Sequence, residues 1–127
     1  MEAVRIARLS AAAVLGLRVS YGLALIAAPR RLALRWLGPA AEGAPVQVAL
    51  RALGARETIL HTGALVALTR DAPLRPWLAA SAAGDITDVI ATAAGRRRLP
   101  RGAAPATLAV GGGSALISAA LAMALER

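Results

Sequence analysis

Ionisable side chains interrupt three apolar stretches of this sequence, at positions where an isolated charge would be costly. They are Arg18, Arg51, Arg56, Glu57, His61, Asp85 and Asp88. With the histidine neutral, three arginines oppose three carboxylates. A buried ion is tolerated when it is paired and hydrogen-bonded. We therefore expect these residues to meet in one polar cluster whose charges cancel.

Helical spacing divides these residues among polar stripes, because residues three and four apart share one face of an α-helix. One stripe steps by four, three and four positions: Ser81, Asp85, Asp88 and Thr92. A second stripe has similar spacing: Gln47, Arg51, Gly54, Thr58 and His61. Glu57 flanks the second stripe. Arg56 points about 140° away from Arg51 at about 100° per residue, so it must meet a different neighbour or extend its charged end to the membrane surface. Arg18 has Tyr21 nearly one turn on, so its face offers a charge and a phenol.

Acid–base chemistry is one use for such a cluster. The candidate catalytic residues are Asp85, Asp88, Glu57 and His61. Glu57 and His61 lie one helical turn apart, as an acid–base pair requires, and an arginine would stabilise developing negative charge. The candidate binding residues are Arg18, Tyr21, Arg51, Arg56 and Thr58.

Several other chemistries find no support in the sequence. We predict no metal site, because di-metal carboxylate bundles use Glu-x-x-His from two helices and this chain has one histidine, at another spacing. A serine nucleophile is not expected, since Ser10, Ser20 and Ser81 have no histidine close by in the sequence. The absence of cysteine excludes a thiol nucleophile, a disulfide framework and a Cys-ligated zinc site. No cofactor can be named from these residues.

Four apolar segments must position the cluster: 9–28, 46–68, 77–95 and 103–125. The last holds no charge and, at about 1.5 Å per residue, can cross the ~30 Å hydrocarbon layer. Prolines stand at the edges of these segments and not in their interiors, as helices require. The arginines before 9–28 also suit a signal peptide, but Arg18 interrupts that run and no small-residue cleavage site follows. We predict an all-α transmembrane four-helix bundle with a polar interior, in one domain over residues 1–127.

The composition supports a membrane protein. Hydrophobic residues make up 57% of the chain and charged residues 17%, whereas soluble domains carry about a quarter charged. The net charge is +8 and every basic residue is arginine. Most arginines lie between the apolar segments, as the positive-inside rule expects, and no basic face with aromatic stacking residues is present. We expect a multi-pass protein of the cell membrane that binds no nucleic acid.

The connections between the segments differ in charge. Residues 30–37 are expected to form a short interfacial helix whose arginines reach the headgroups, and 38–45 a loop. The first and third connections together hold seven arginines: Arg30, Arg31, Arg35, Arg96, Arg97, Arg98 and Arg101. The other side holds five: Arg5, Arg8, Arg70, Arg75 and Arg127. This difference places both termini outside.

The second and third apolar segments contain Gly54-Ala55-Arg56-Glu57, then Gly63, and the charged pair Arg70-Asp71 before the next segment. In these features residues 46–95 resemble the DoxX-like small four-span membrane proteins of bacteria. The resemblance implies the four-span architecture, in a grouping whose members are mostly uncharacterised and in part linked to oxidoreductase or membrane-complex roles. Arg18 and residues 84–88 have no counterpart in the pattern.

Three functions fit these observations. The first is a membrane-embedded binding or catalytic pocket for a small hydrophobic molecule. The second is a structural or accessory subunit whose ion pairs dock helices, as a homo-oligomer or with a partner membrane protein. The third is a small proton-coupled transporter, in which a carboxylate loads and releases a proton.

Overall fold

The computed structural model describes residues 1–125, which are helical apart from short connections and contain no strand. Five α-helices follow one another: α1 Glu2–Ala27, α2 Pro29–Leu37, α3 Ala44–Thr69, α4 Arg75–Gly95 and α5 Ala103–Ala124. Two 3-10 helices lie between them, Gly38–Glu42 and Arg96–Arg98. The all-α fold expected from the sequence is confirmed.

The helix boundaries follow from proline and glycine. Pro29 begins α2, and Pro45 and Pro76 lie in the first turns of α3 and α4, where the missing N–H has no intrahelical partner to lose. Gly102 precedes α5 with a φ of 91°, a left-handed conformation that glycine adopts without strain. α1 begins at Glu2, seven residues before the expected start at residue 9. Arginine is a good helix former, so the basic residues there extend the helix.

The expectation of a loop at 38–45 was wrong. Residues Gly38–Glu42 form a 3-10 helix and α3 already begins at Ala44. Pro39 occupies one of the first positions of the 3-10 helix, where its fixed φ is compatible with a helical turn. The short helix expected at 30–37 is present as α2, and its place in a membrane interface stays a prediction.

The bundle consists of two helix pairs. α1 lies along α3, and α4 lies along α5, whereas α3 and α4 meet over a much shorter stretch. Glycines allow the first pair to approach closely, because a Cβ on Gly22 would lie 2.6 Å from Thr58 Oγ1 and 2.7 Å from the Gly54 carbonyl oxygen. We call these units the α1–α3 pair and the α4–α5 pair.

Two apolar cores surround a polar layer. One core lies at the end of the bundle where α1 begins. It includes Ala11, Leu15, Ala64, Ala67, Leu68, Leu74 and Leu78. The other contains Leu25, Ala33, Ala41 and Leu50. Along α1, Leu15 belongs to one core and Leu25 to the other, with Arg18 between them. The charged residues therefore occupy the middle layer of the bundle.

Two of the helices are long and apolar enough to cross a membrane, α1 and α5, with mean hydropathies of 1.7 and 1.6 over their most apolar 18-residue windows. A helix in the core of a soluble protein can meet the same criterion, but it is mostly buried. Here only 22% of the α1 window and 6% of the α5 window are buried. The fold thus exposes its most apolar helices. α3 and α4, which contain all three carboxylates of the middle layer, do not meet the criterion.

Candidate functional site

Arg18 of α1 lies at the centre of the middle layer and ties together the two helix pairs. Its Nη1 and Nη2 donate to the two carboxylate oxygens of Asp85 on α4, at 2.7 and 2.6 Å. Its Nε and Nη2 donate to Glu57 Oε2 on α3, at 3.0 and 2.9 Å. The two-pronged contact with Asp85 is the arrangement that gives arginine–carboxylate pairs their strength and fixed orientation.

A second pair lies at the side of the first. Arg56 of α3 donates to both carboxylate oxygens of Asp88 on α4, at 2.7 Å from Nη2 and 3.3 Å from Nη1. The same Nη2 lies 3.2 Å from Glu57 Oε1. Glu57 therefore accepts hydrogen bonds from both arginines and joins the two pairs. The guanidinium of Arg56 lies beside Gly84, where an added Cβ would be 3.4 Å from Arg56 Cζ, an ordinary contact distance.

His61 extends the network on the other side of Glu57. Its Nδ1 lies 2.7 Å from the backbone oxygen of Glu57, and its Nε2 lies 2.9 Å from Ser81 Oγ. A carbonyl oxygen only accepts, so Nδ1 carries a proton. In the neutral imidazole Nε2 then accepts from the Ser81 hydroxyl, which lies 3.4 Å from Ser118 Oγ on α5. This series of hydrogen bonds connects three helices, α3, α4 and α5.

The two halves of the network differ in burial. The side chains of His61, Glu57 and Asp85 are 1%, 5% and 6% exposed, and that of Arg18 is 13% exposed. The side chains of Arg56 and Asp88 are each 37% exposed. We name Arg18, Glu57, His61 and Asp85 the deep cluster, and Arg56 with Asp88 the edge pair. Both halves consist of residues that the sequence nominated.

The structure places a hydroxyl, an imidazole and a carboxylate in the sequence of contacts found in a serine hydrolase triad: Ser81, His61 and Glu57. The sequence analysis did not predict this arrangement. Glu57 Oε2 lies 3.5 Å from His61 Nδ1, on the side of the ring opposite to Ser81. The sequence separation of Ser81 and His61 concealed this contact, because the turn between α3 and α4 folds the two helices back on each other. Ser81 is 2% exposed and Nδ1 donates to a backbone carbonyl of its own helix. A substrate therefore has no access to the hydroxyl in this conformation.

Arg51 lies outside the site, contrary to the expectation of three arginines in one cluster. It is exposed, and its Nε donates to the Ile26 backbone oxygen at 3.3 Å. The buried face of α3 runs through Leu50, Gly54, Glu57, His61, Ala64 and Leu68. This face is displaced by about one residue from the expected stripe, which turns Arg51 outward. Arg56, which flanks the buried face, takes its place by reaching across to Asp88.

The remaining candidate binding residues lie around the cluster. Thr58 is half-buried against Gly22, and its hydroxyl donates to the Gly54 backbone oxygen at 2.8 Å. It therefore serves the contact between α1 and α3. Tyr21 is 41% exposed and lies within electrostatic range of Arg18, Glu57 and Asp88. Ser118, which joins the network through Ser81, was not among the residues expected from the sequence.

Two surface grooves of about 420 and 440 Å³ lie away from the charged residues. The first is lined by residues near the start of α1 and the end of α5: Ala3, Val4, Ala7, Ala120, Met123 and Ala124. The second also lies at the start of α1, beside Leu68 and Thr69. Neither groove includes a member of the deep cluster or the edge pair.

Comparisons of this chain with known protein families, with curated proteins and with solved structures find no match.

Proposed function

We propose that this chain is an integral membrane protein with four spans, α1, α3, α4 and α5. The support is that α1 and α5 are apolar and mostly unburied, a surface that lipid would cover. α3 and α4 contain 26 and 21 residues, which at about 1.5 Å per residue exceeds the ~30 Å hydrocarbon layer. Their charged residues in the middle layer are paired with one another or with Arg18, as ionisable residues within a bilayer require, and Arg51, which is turned outward, donates to the Ile26 backbone oxygen.

The arginine-rich connections fit this placement. α2 exposes Arg31 and Arg35 together with Leu32 and Leu34, a composition typical of helices that lie in the membrane interface. α2 contacts α5, so the basic segment Arg96–Arg98 lies at the same end of the bundle. We propose this end as the cytoplasmic one, by the positive-inside rule.

The function that the geometry supports best is structural: the deep cluster joins the two helix pairs inside the membrane, and the protein serves as a membrane-embedded accessory subunit. The observation that carries this proposal is the position of Arg18, which holds Glu57 of its own pair and Asp85 of the other pair within 3.0 Å. All four of these bonds connect α1 to α3 or to α4, so the guanidinium joins the helices. Buried ion pairs of this kind fix the choice of helix partners.

A second candidate function is the binding of a small hydrophobic molecule at the edge pair. Arg56 and Asp88 are partly exposed, and the buried Arg56 Nε has no hydrogen-bond partner among the described residues. Tyr21 adds a phenol near the same charges. A lipophilic molecule with one polar group would find its partners here, and Asp88 is the cluster's most accessible acid–base candidate. The resemblance to DoxX-like proteins suits either function.

Labelling of introduced cysteines tests the number of spans, since the natural chain has none. We would prepare Ala40→Cys, Ala72→Cys and Pro100→Cys, each at an exposed position in a connection. With four spans, a membrane-impermeant maleimide labels position 72 from the side opposite to 40 and 100. If only α1 and α5 cross, all three positions are labelled from one side. In a separate test, release of the protein from membranes by alkaline carbonate would exclude membrane insertion altogether.

Analysis of co-purifying molecules separates the two candidate functions. The detergent-purified protein would be examined by mass spectrometry beside Asp88→Asn and the control Asp71→Asn, whose carboxylate is exposed and outside the cluster. Binding at the edge pair predicts a small molecule that the natural chain and the control retain and Asp88→Asn loses. Identical spectra for all three proteins would argue against binding at the edge pair, and only the structural function would remain.

A further inference from the structure

The charges in the middle layer do not cancel. Because Arg51 is turned away, two arginines face three carboxylates: Arg18 and Arg56 against Glu57, Asp85 and Asp88. With His61 neutral, the cluster has one negative charge too many. The described part of α5 contains no charged side chain, α2 contributes only exposed arginines, and Arg8 of α1 pairs with Asp71.

Something small must supply the missing positive charge. An uncompensated charge inside an apolar layer is strongly disfavoured. The deep cluster is almost completely enclosed by its own helices, with Glu57 5% and Asp85 6% exposed at their side chains, and the surface grooves lie elsewhere. A proton fits into this space, whereas a larger cation would have to separate the helices.

The carboxylates are poor places for that proton. Both oxygens of Glu57, of Asp85 and of Asp88 already accept hydrogen bonds from arginine N–H groups. A proton on any of these oxygens would point a second donor toward an arginine. The bonds that hold the two helix pairs together would be weakened.

His61 accepts the proton without the loss of a bond. Its Nε2 lies 2.9 Å from Ser81 Oγ, and this hydroxyl lies 3.4 Å from Ser118 Oγ. When a proton binds to Nε2, the Ser81 hydroxyl rotates, accepts from Nε2 and donates to Ser118. Nδ1 continues to donate to the Glu57 backbone oxygen and faces Glu57 Oε2 at 3.5 Å.

Opposing forces act on a charged imidazole at this position. The burial of His61, which is 1% exposed, disfavours it, whereas the carboxylate of Glu57, whose Oε2 lies 3.5 Å from Nδ1, favours it. Asp88 and the more distant Arg56 belong to the same network, and Tyr21 is uncharged near neutral pH. The charge count favours it: with His61 protonated, three positive charges face three negative charges in the cluster.

We propose that the deep cluster is a proton-binding site, at which His61 holds one proton per chain while the two helix pairs are joined. The proposal rests on the placement of the cluster within lipid. It gives the protein a bound proton that is released to water when the helix pairs separate. Assembly of the bundle and proton uptake then become one reaction.

Nitrogen-15 NMR of the single histidine tests the proposal in protein reconstituted into lipid nanodiscs. At pH ~7.5, about one unit above the range in which a free imidazole titrates, we expect both ring nitrogens of His61 to be protonated in most molecules. A neutral ring with a proton on Nδ1 alone at this pH would overturn the proposal.

Two variants test the charge argument directly, one inside the network and one control outside it. Asp88→Asn removes one negative charge at the half-exposed edge, so the cluster balances without the extra proton and His61 should become neutral at the same pH. Asp71→Asn, outside the cluster, should leave the imidazolium signal unchanged. A folded Asp88→Asn protein that keeps the signal would contradict the charge argument. A chain that stays in water without detergent would refute the membrane placement instead, which separates the two failures.

Discussion

The deep cluster and the edge pair use the same chemistry in different surroundings. In the deep cluster, Arg18 reaches two carboxylates at 2.6 to 3.0 Å, and the acids are at most 6% exposed. In the edge pair, Arg56 meets Asp88 at 2.7 and 3.3 Å with both side chains 37% exposed. The difference lies in burial: the enclosed arrangement connects α1, α3 and α4, whereas the more exposed one is, in the proposed function, available to a ligand.

The largest effect is expected from Arg18→Met, which keeps an unbranched side chain but removes the charge. Of its two arginine partners Glu57 would keep only Arg56, and Asp85 would lose both of its arginine bonds. Loss of one partner of a buried ion pair lowers the free energy of unfolding by about 3–5 kcal/mol. Unfolding in mixed detergent micelles would measure it. The control Arg51→Met, on the exposed side of α3, should change little; an equal loss in both variants would remove the distinction between them.

A smaller loss is expected from Gly54→Leu, which disturbs the helix pair that presents Arg18. A Cβ at Gly54 would lie 2.8 Å from Leu25 Cβ and close to the Gly22 backbone oxygen, so α1 and α3 must separate. We expect a destabilisation of about 2–3 kcal/mol from this overpacking. Gly113→Leu, where no neighbour lies within 4 Å of a Cβ, is the matched control. Similar stabilities of the two variants would argue against close packing of α1 on α3.

The edge pair should tolerate substitution better. Arg56→Gln is expected to lower the free energy of unfolding by about 1.5 kcal/mol, the magnitude for hydrogen bonds to charged groups, because both side chains of the edge pair are 37% exposed and less enclosed than the deep cluster. The same micelle unfolding experiment measures it beside Arg18→Met. A loss as large as that of Arg18→Met would show that both halves hold the bundle equally.

The smallest effect is expected at the end of the histidine chain. Ser118→Ala removes the 3.4 Å contact with Ser81, and a neutral hydrogen bond contributes about 1 kcal/mol or less. The stability should therefore change little, whereas the His61 nitrogen-15 signal should shift as the Ser81 hydroxyl loses a partner. An unchanged spectrum would mean that Ser118 takes no part in the network.

Most of the helices could be predicted from the sequence, because prolines and apolar runs determine where they begin and end. The segments 46–68, 77–95 and 103–125 agree closely with α3, α4 and α5. The stripe through Asp85 and Asp88 also lies on the face of α4 that meets the arginines. Whether α3 and α4 cross a bilayer stays a prediction.

The arginine partners could not be predicted, because long side chains do not have to lie on the helix face that they serve. Arg51 seemed the better candidate, but the close contact of Gly54 with Gly22 rotates α3 so that Glu57 and His61 face inward. Arg56 then reaches Asp88 from the flank. A displacement of the buried face by one residue thus removes Arg51 from the site and leaves Arg56 as the partner of Asp88. As a result, two arginines face three carboxylates.

A double-mutant cycle between Arg18→Met and Asp85→Asn is the most direct test of the claim that this pair joins the two helix pairs. The free energies of unfolding of the natural chain, the two single variants and the double variant would be measured in the same micelles. We predict that the double variant is more stable than the sum of the single losses implies, by about 2 kcal/mol. Additive losses, within about 0.5 kcal/mol, would contradict a direct bond between α1 and α4.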